Sequence, residues 1–177
     1  MNIFFDNVDL DSSSGPNTFA QKLILEFVKS AQKFNVKGNI FSSPEKAKEN
    51  NIDIQLSFIH SVYEDKEVPI IQRLDGIYFN SLQDWKSLNA PIRETYEKAA
   101  GVIFQSRFNK MLTEHYFGKK ENSVVINNGV DLDRIEMIPA NKSPELDKFE
   151  NIWVCASSWR PHKRLSENVR YFLENCG

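Results

Sequence analysis

Three runs of this 177-residue chain carry side chains that could do chemistry. The first is Arg73-Leu74-Asp75-Gly76-Ile77-Tyr78, directly after the apolar run Val68-Pro69-Ile70-Ile71. A charged pair at the end of a buried strand is not there for packing alone. Asp75 could orient a hydroxyl or accept its proton. The plainer reading is an Arg73–Asp75 ion pair, or an aspartate that caps a turn. The second run is the polar loop after the first strand. There Ser13, Ser14, Gly15, Asn17 and Thr18 offer hydroxyls, an amide and an accessible backbone. In open α/β sheets ligands bind beyond the carboxyl ends of strands, and helix N-termini favour anions. Helix capping plus a flexible turn would explain the same residues. The third is Trp159-Arg160-Pro161-His162-Lys163-Arg164. Three cations opening a helix beyond a strand suit a diphosphate, although a solvated basic turn has the same composition.

Other chemistry is disfavoured. Asp9-Leu10-Asp11 and Asp131-Leu132-Asp133 both fit D-x-D, but neither has histidine or further carboxylates at ligand spacing, so no metal site is expected. His60, His115 and His162 lack zinc spacing. His60 ends the third expected strand, as a satisfied loop histidine or a cleft residue. There is no G-x-G-x-x-G after the first strand, no P-loop and no G-x-S-x-G elbow. Dehydrogenase, P-loop NTPase and hydrolase readings therefore lose ground.

The elements that must position these runs alternate between strand and helix, which predicts a doubly wound parallel sheet. Short strands are expected at Ile3–Phe5, Asn39–Phe41, Ile52–Ile59, Val68–Arg73, Gly101–Gln105 and Ser123–Asn127. A helix over Pro16–Phe34 carries Phe19, Ala20, Leu23, Ile24, Phe27, Val28 and Ala31 at helical spacing. Pro16 suits its first turn. A second helix bears Trp85 and Leu88 and is expected to break at Pro91, with Ile92, Tyr96 and Ala99 on a following piece. Ser106 should cap the next helix and Gly118 stop it. Residues 132–150 read as a linker. A final strand at Ile152–Ala156 and a helix bearing Leu165, Val169, Phe172 and Leu173 follow. One strand–helix pair cannot bury both its faces, so 151–177 is expected to be the first unit of an incomplete second domain.

Composition adds bounds. Hydrophobic residues make up 41% and charged residues 26%, as in ordinary globular proteins. A net charge of −2 implies no general attraction to nucleic acid. The first residues lack the basic and apolar regions of a signal peptide, and no stretch of about 18 apolar residues could span a membrane. Cys155 and Cys176 make no disulfide framework and read as free thiols in a reducing, cytoplasmic setting.

The stretch Val102-Ile103-Phe104-Gln105-Ser106-Arg107-Phe108-Asn109-Lys110, then Phe117-Gly118, then Val125-Ile126-Asn127-Asn128-Gly129-Val130-Asp131 resembles the end of the N-terminal domain of family-four, GT-B-type glycosyltransferases. Those enzymes carry "V-I-x-x-S-x-x-x-K … F-G … V-I-x-N-G-V-D" there. Lys163 resembles the lysine of their "G-R-x-x-x-x-K-G" run, with Arg160 near its arginine and Arg164 where glycine is usual. The resemblance implies a Rossmann-like acceptor-side domain over 1–131 and the opening of a donor-binding domain at 151–177. It implies transfer of a sugar, of the hexosyltransferase kind, from a nucleotide diphosphate sugar, without a required cofactor or metal. Asp75 stands where relatives place a histidine close to the reacting sugar, and is the candidate catalytic residue. Ser14, Gly15, Asn17 and Arg73 are the candidate acceptor-binding residues, and Arg160, Lys163 and Arg164 the candidate donor-phosphate residues. The family's E-x7-E donor motif has no counterpart, since Glu167 and Glu174 are too close together and too early. The isolated chain is therefore expected to be inactive, a truncated product or a portion of a longer enzyme.

The partners expected are the nucleotide sugar and a carbohydrate or lipid-linked acceptor. Peripheral membrane association and self-association through the incomplete second domain are further expectations. Two other classes remain in view: a non-catalytic glycan- or nucleotide-binding domain, and an unrelated α/β regulatory module.

Overall fold

In the computed structural model the described residues are 1–34, 37–63, 65, 67–130, 132–139, 144–146, 148–150, 152–157 and 163–175. They divide into two compact units, Met1–Gly129 and Val130–Gly177. The first unit runs β1 (Asn2–Asp6), α1 (Gly15–Phe34), β2 (Asn39–Phe41), α2 (Pro44–Lys48), β3 (Ile54–Phe58), β4 (Ile70–Leu74), α3 (Trp85–Lys98), β5 (Gly101–Phe104), α4 (Arg107–Phe117) and β6 (Ser123–Val125). All strand pairs are parallel, in the order β2-β1-β3-β4-β5-β6. This is the expected doubly wound, Rossmann-like α/β sheet. Its order reverses between β1 and β3, where an open sheet leaves a crevice at its carboxyl edge.

Local chemistry sets the element ends. Ser106 accepts from Asn109 N at 3.1 Å and opens α4; Gly118, at φ 93°, closes it in the left-handed region that glycine enters without a Cβ penalty. Asp84 caps α3 by accepting from Ser87 N at 3.2 Å. The break expected at Pro91 does not occur, and α3 continues through it. Pro91 and Ser87 both lie on the exposed side of the helix, so water can satisfy the Ser87 carbonyl that loses its N–H partner. The five-residue α2 was absent from the sequence reading because it is too short to show a period. Its Ser43-Pro44 start is nevertheless a cap-plus-proline signal.

Each sheet face has its own core. Phe5, Leu56 and Phe58 pack under Ala20 of α1. On the opposite face Leu74, Val102 and Phe104 pack under Ile92 and Tyr96 of α3, with Leu112 and Phe117 of α4 at the side. Among the described residues no helix joins β3 to β4; 59–63, 65 and 67–69 form a loop. A loop against a sheet leaves backbone groups without helical partners. The sheet supplies them. Gln72 Nε2 donates to the carbonyls of Ile59 (2.7 Å) and Ile92 (3.0 Å). Gln55 Nε2 donates to the Tyr63 carbonyl (3.0 Å), and Asp6 Oδ2 accepts from Val62 N (3.1 Å). Asp6, Gln55, Ser57 and Gln72 are all fully buried, forming a polar seam in an otherwise apolar sheet.

In the second unit, residues 132–136 form a helix, α5 (Leu132–Glu136), within the stretch read as a linker, and α6 spans Leu165–Asn175. The strand expected at Ile152–Ala156 is not formed; residues 152–157 have no regular structure. Strands are stabilised by ladder partners, and the described residues of this unit offer none. The segment is held instead by Trp153, whose ring meets Phe172 of α6 edge-on at 5.8 Å. Val169 and Leu173 stay largely exposed. Among the described residues no helix is long and apolar enough to cross a membrane.

Candidate functional site

The first unit concentrates functional polar groups at the carboxyl edge of its sheet, in two places. The first follows β4. Arg73 is only 4% exposed. Strand alternation turns it to the α1 face, where its guanidinium lies 3.9 Å from the Phe19 ring centre and 5.6 Å from that of Phe58. Its Nη1 pairs with Asp75 Oδ1, and its Nη2 donates to Asn128 Oδ1 at 2.9 Å. Asn128 Nδ2 in turn donates to Gln105 Oε1 at 3.1 Å, and Gln105 Nε2 to the Asp75 carbonyl. Asn109 of α4 donates to the Leu74 carbonyl at 2.6 Å. Burial lowers the Arg73 pKa while Asp75 opposes that shift; a guanidinium stays charged through such a change. Asp75 is thus fixed in orientation by one oxygen, and its side chain keeps about a quarter of its surface in solvent (28% exposed).

The second place lies over the reversal between β1 and β3. A cleft of about 420 Å³ is lined there by Asp6, Asn7, Asp9, Ser14, Asn17 and Ser42, with apolar walls that include Pro44, Ile59 and Val62. Asp6 Oδ2 accepts from Gln55 Nε2 (2.8 Å), Ser57 Oγ (3.0 Å) and Val62 N, whereas Oδ1 has no partner although it is buried. Two non-glycine residues at the rim are left-handed, Asn7 at φ 59° and Ile59 at φ 69°. Asparagine tolerates that region; a β-branched residue there is strained. Ile59 is locked in place: its N–H donates to the Arg73 carbonyl (2.9 Å), and His60 N donates to the Phe58 carbonyl across it (2.8 Å). Asn7 Nδ2 ties the same turn by donating to the carbonyls of Phe58 (2.8 Å) and His60 (3.2 Å). Backbone strain of this kind persists where the surroundings over-determine it, and it gathers at binding sites.

The residues singled out from the sequence fall as follows. Arg73 meets both Asp75 and Asn128, a residue of the run that carries the glycosyltransferase resemblance. Ser14 and Asn17 line the cleft, and Asn17 Oδ1 accepts from Asp9 N at 3.2 Å. Gly15 is the first residue of α1 and does not line the cleft; a Cβ there would meet nothing within 4 Å. Lys163 and Arg164 belong to the second unit, exposed just before α6. There the Arg164 carbonyl accepts from Asn168 N (3.0 Å) and the Lys163 carbonyl from Asn168 Nδ2 (3.2 Å). Arg160, His162, Asp131 and Cys176 lie outside the described residues, while Cys155 is a free, exposed thiol. Among the described residues no cluster of three or more histidine, cysteine or carboxylate groups could hold a metal.

Sequence reasoning missed Asp6, Asn7, Gln55 and Ile59. A signal existed for one of them, Gln55: Ile54-Gln55-Leu56-Ser57-Phe58 alternates polar and apolar, although both sheet faces at this strand are covered. No protein-family model, curated protein or solved structure matches this chain.

Proposed function

We propose that the Met1–Gly129 unit binds a sugar-bearing acceptor at the carboxyl edge of its sheet, as the acceptor-side half of a glycosyltransferase using a nucleotide diphosphate sugar. The observation that carries this reading is the 2.9 Å contact of Arg73 with Asn128. It joins the Arg73–Asp75 pair, which the family resemblance puts close to the reacting sugar, to the Asn127-Asn128-Gly129 run that carries the resemblance. In this reading Arg73 holds Asp75 at the edge, and the free Asp75 oxygen accepts from an acceptor hydroxyl. Lys163 and Arg164 would meet the donor's diphosphate, whose growing charge on departure a fixed cation stabilises.

The test is retention of the purified chain on a panel of immobilised mono- and oligosaccharides, together with consumption of UDP- and GDP-sugars. Saccharide retention that Asp75→Asn weakens, with no turnover by the 177-residue chain, is expected. Lack of retention on every saccharide would overturn the acceptor-side assignment, and robust turnover would overturn the division of labour. A second reading, a non-catalytic glycan- or nucleotide-binding domain, is favoured by the engagement of Asp75 with a buried arginine. It predicts retention that Asp75→Asn leaves unchanged.

A further inference from the structure

The cleft over β1 and β3 has a chemical preference of its own, and this inference rests on the acceptor-side reading above. Six of its lining residues are polar: two carboxylates, Asp9 exposed and Asp6 fully buried, and four neutral groups, Asn7, Ser14, Asn17 and Ser42. No lysine or arginine lines it among the described residues. Pro16, the second residue of α1, also lines it and has no N–H to offer an anion. The buried Asp6 Oδ1 lacks a donor, and a buried acceptor left unpaired is costly. The amide nitrogen of Asn17 and the hydroxyls of Ser14 and Ser42 have no hydrogen-bond partner among the described residues, so they remain available. The cleft therefore combines acceptors needing donors with donors needing acceptors. A hydroxyl is both at once, and an ammonium answers the carboxylates. A phosphate is only an acceptor, and it would face two carboxylates with no cation to screen them.

We infer that this cleft is the subsite for an uncharged or amino-bearing sugar ring, and that it rejects phosphorylated sugars. Asp9 is its exposed acceptor, the fully buried Asp6 carboxylate adds to the acidic character of the lining, and Asn17 is its principal donor. The left-handed turn at Ile59 shapes the wall opposite. Ligands of this kind answer the free groups of the cleft without a metal or a cation.

Amide chemical shifts of the full chain, followed by NMR during titration with glucose, glucosamine and glucose 6-phosphate, test this. Glucose and glucosamine should shift the amides of residues 6–9, 14, 15 and 17. Glucosamine should bind at least as tightly as glucose, and glucose 6-phosphate about 10-fold or more weakly, as like charges brought together in a cleft require. Asp6→Asn could disturb the buried seam, so exposed Asp9 and half-buried Asn17 supply the variants. Asn17→Ala should weaken glucose by about 10-fold with unfolding unchanged, the scale of losing a good hydrogen bond to a ligand. Asp9→Lys should weaken glucosamine and strengthen glucose 6-phosphate. Equal or tighter binding of glucose 6-phosphate to the parent chain would overturn the inference. Shifts confined to residues around Asn128 would overturn it too, yet leave the acceptor-side reading intact. No shift with any of the three sugars would sink both.

Discussion

The two ends of the same sheet edge are built in opposite ways. At the β4–β6 end the polar groups of the edge are matched to one another, Arg73 to Asp75 and Asn128, Asn128 to Gln105, Gln105 to the Asp75 backbone, and one buried acceptor, Gln72 Oε1, is left without a donor further down β4. At the β1–β3 end the matching is incomplete, with Asp6 Oδ1 and Gln55 Oε1 left without donors and two residues held left-handed. The cause is topological. Helices α3 and α4 satisfy their own backbones, so the β4–β6 end can be packed with Leu74, Ile92, Tyr96, Val102 and Phe104. The β3–β4 connection has no helix among its described residues, so the sheet must turn side chains to serving a loop. Saturated polar groups make rigid scaffolding, and unsaturated ones make places for a ligand. The β4–β6 end is thus cross-linked within the fold, and the β1–β3 end is where the proposed sugar subsite lies.

Breaking the saturated end should have the largest effect on folding. Arg73→Ala removes one partner of a buried ion pair, leaves Asn128 without its donor and strips the stacking on Phe19. Loss of about 3–5 kcal/mol is expected, the range for breaking a buried pair from one side. Urea unfolding followed by circular dichroism measures it; a loss below about 1 kcal/mol would show that the arginine is an ornament of the edge and not its support.

The seam at the other end should respond less. Gln55→Ala deletes the donor to Asp6 Oδ2, Ser61 Oγ and the Tyr63 carbonyl, and about 1–3 kcal/mol should be lost. The same change should accelerate amide exchange across residues 59–63 while leaving α3 protected, since the loop is what Gln55 holds. Uniform acceleration through the whole sheet would contradict a division between the two ends.

The smallest effect appears only at alkaline pH. Tyr96, whose hydroxyl donates to the Gly118 carbonyl at 2.8 Å, has its pKa pushed up from 10.0 to about 12, first by burial and then by Glu114. A phenol that holds its proton more tightly when folded stabilises the fold fully below its unfolded pKa. Between about pH 10 and 12 the unfolded chain has released that proton and the folded one has not, so stability falls as pH rises. Tyr96→Phe should flatten this part of the profile. An unchanged slope in the variant would place the alkaline loss elsewhere.

Much of the scaffold could be read directly from residue order. The 20-residue stripe of α1, the Ser106 cap and the Gly118 stop act over three or four residues, and such signals survive without tertiary context. The strand centres follow from apolar runs for the same reason. Pro91 was misread because the expected break assumed that its helix could not tolerate a missing bond; exposure of that side of α3 decides otherwise. Ile152–Ala156 was misread because an apolar run needs neighbouring strands to become one.

Sequence alone thus determined the parallel α/β class and the ends of α1 and α4, and it offered the Arg73–Asp75 pair as one reading, all of which rest on neighbours in the chain. Only the tertiary structure decided that Asp6 meets Gln55, Ser57 and Val62, separated from it by 49, 51 and 56 residues, and that Arg73 meets Asn128 across 55. It also decided that Ile59 is left-handed, which no intrinsic preference of isoleucine would choose. The physical reason is that these features are set by the sheet's register and by the backbone needs of a loop without a helix. Both exist only once distant strands have paired.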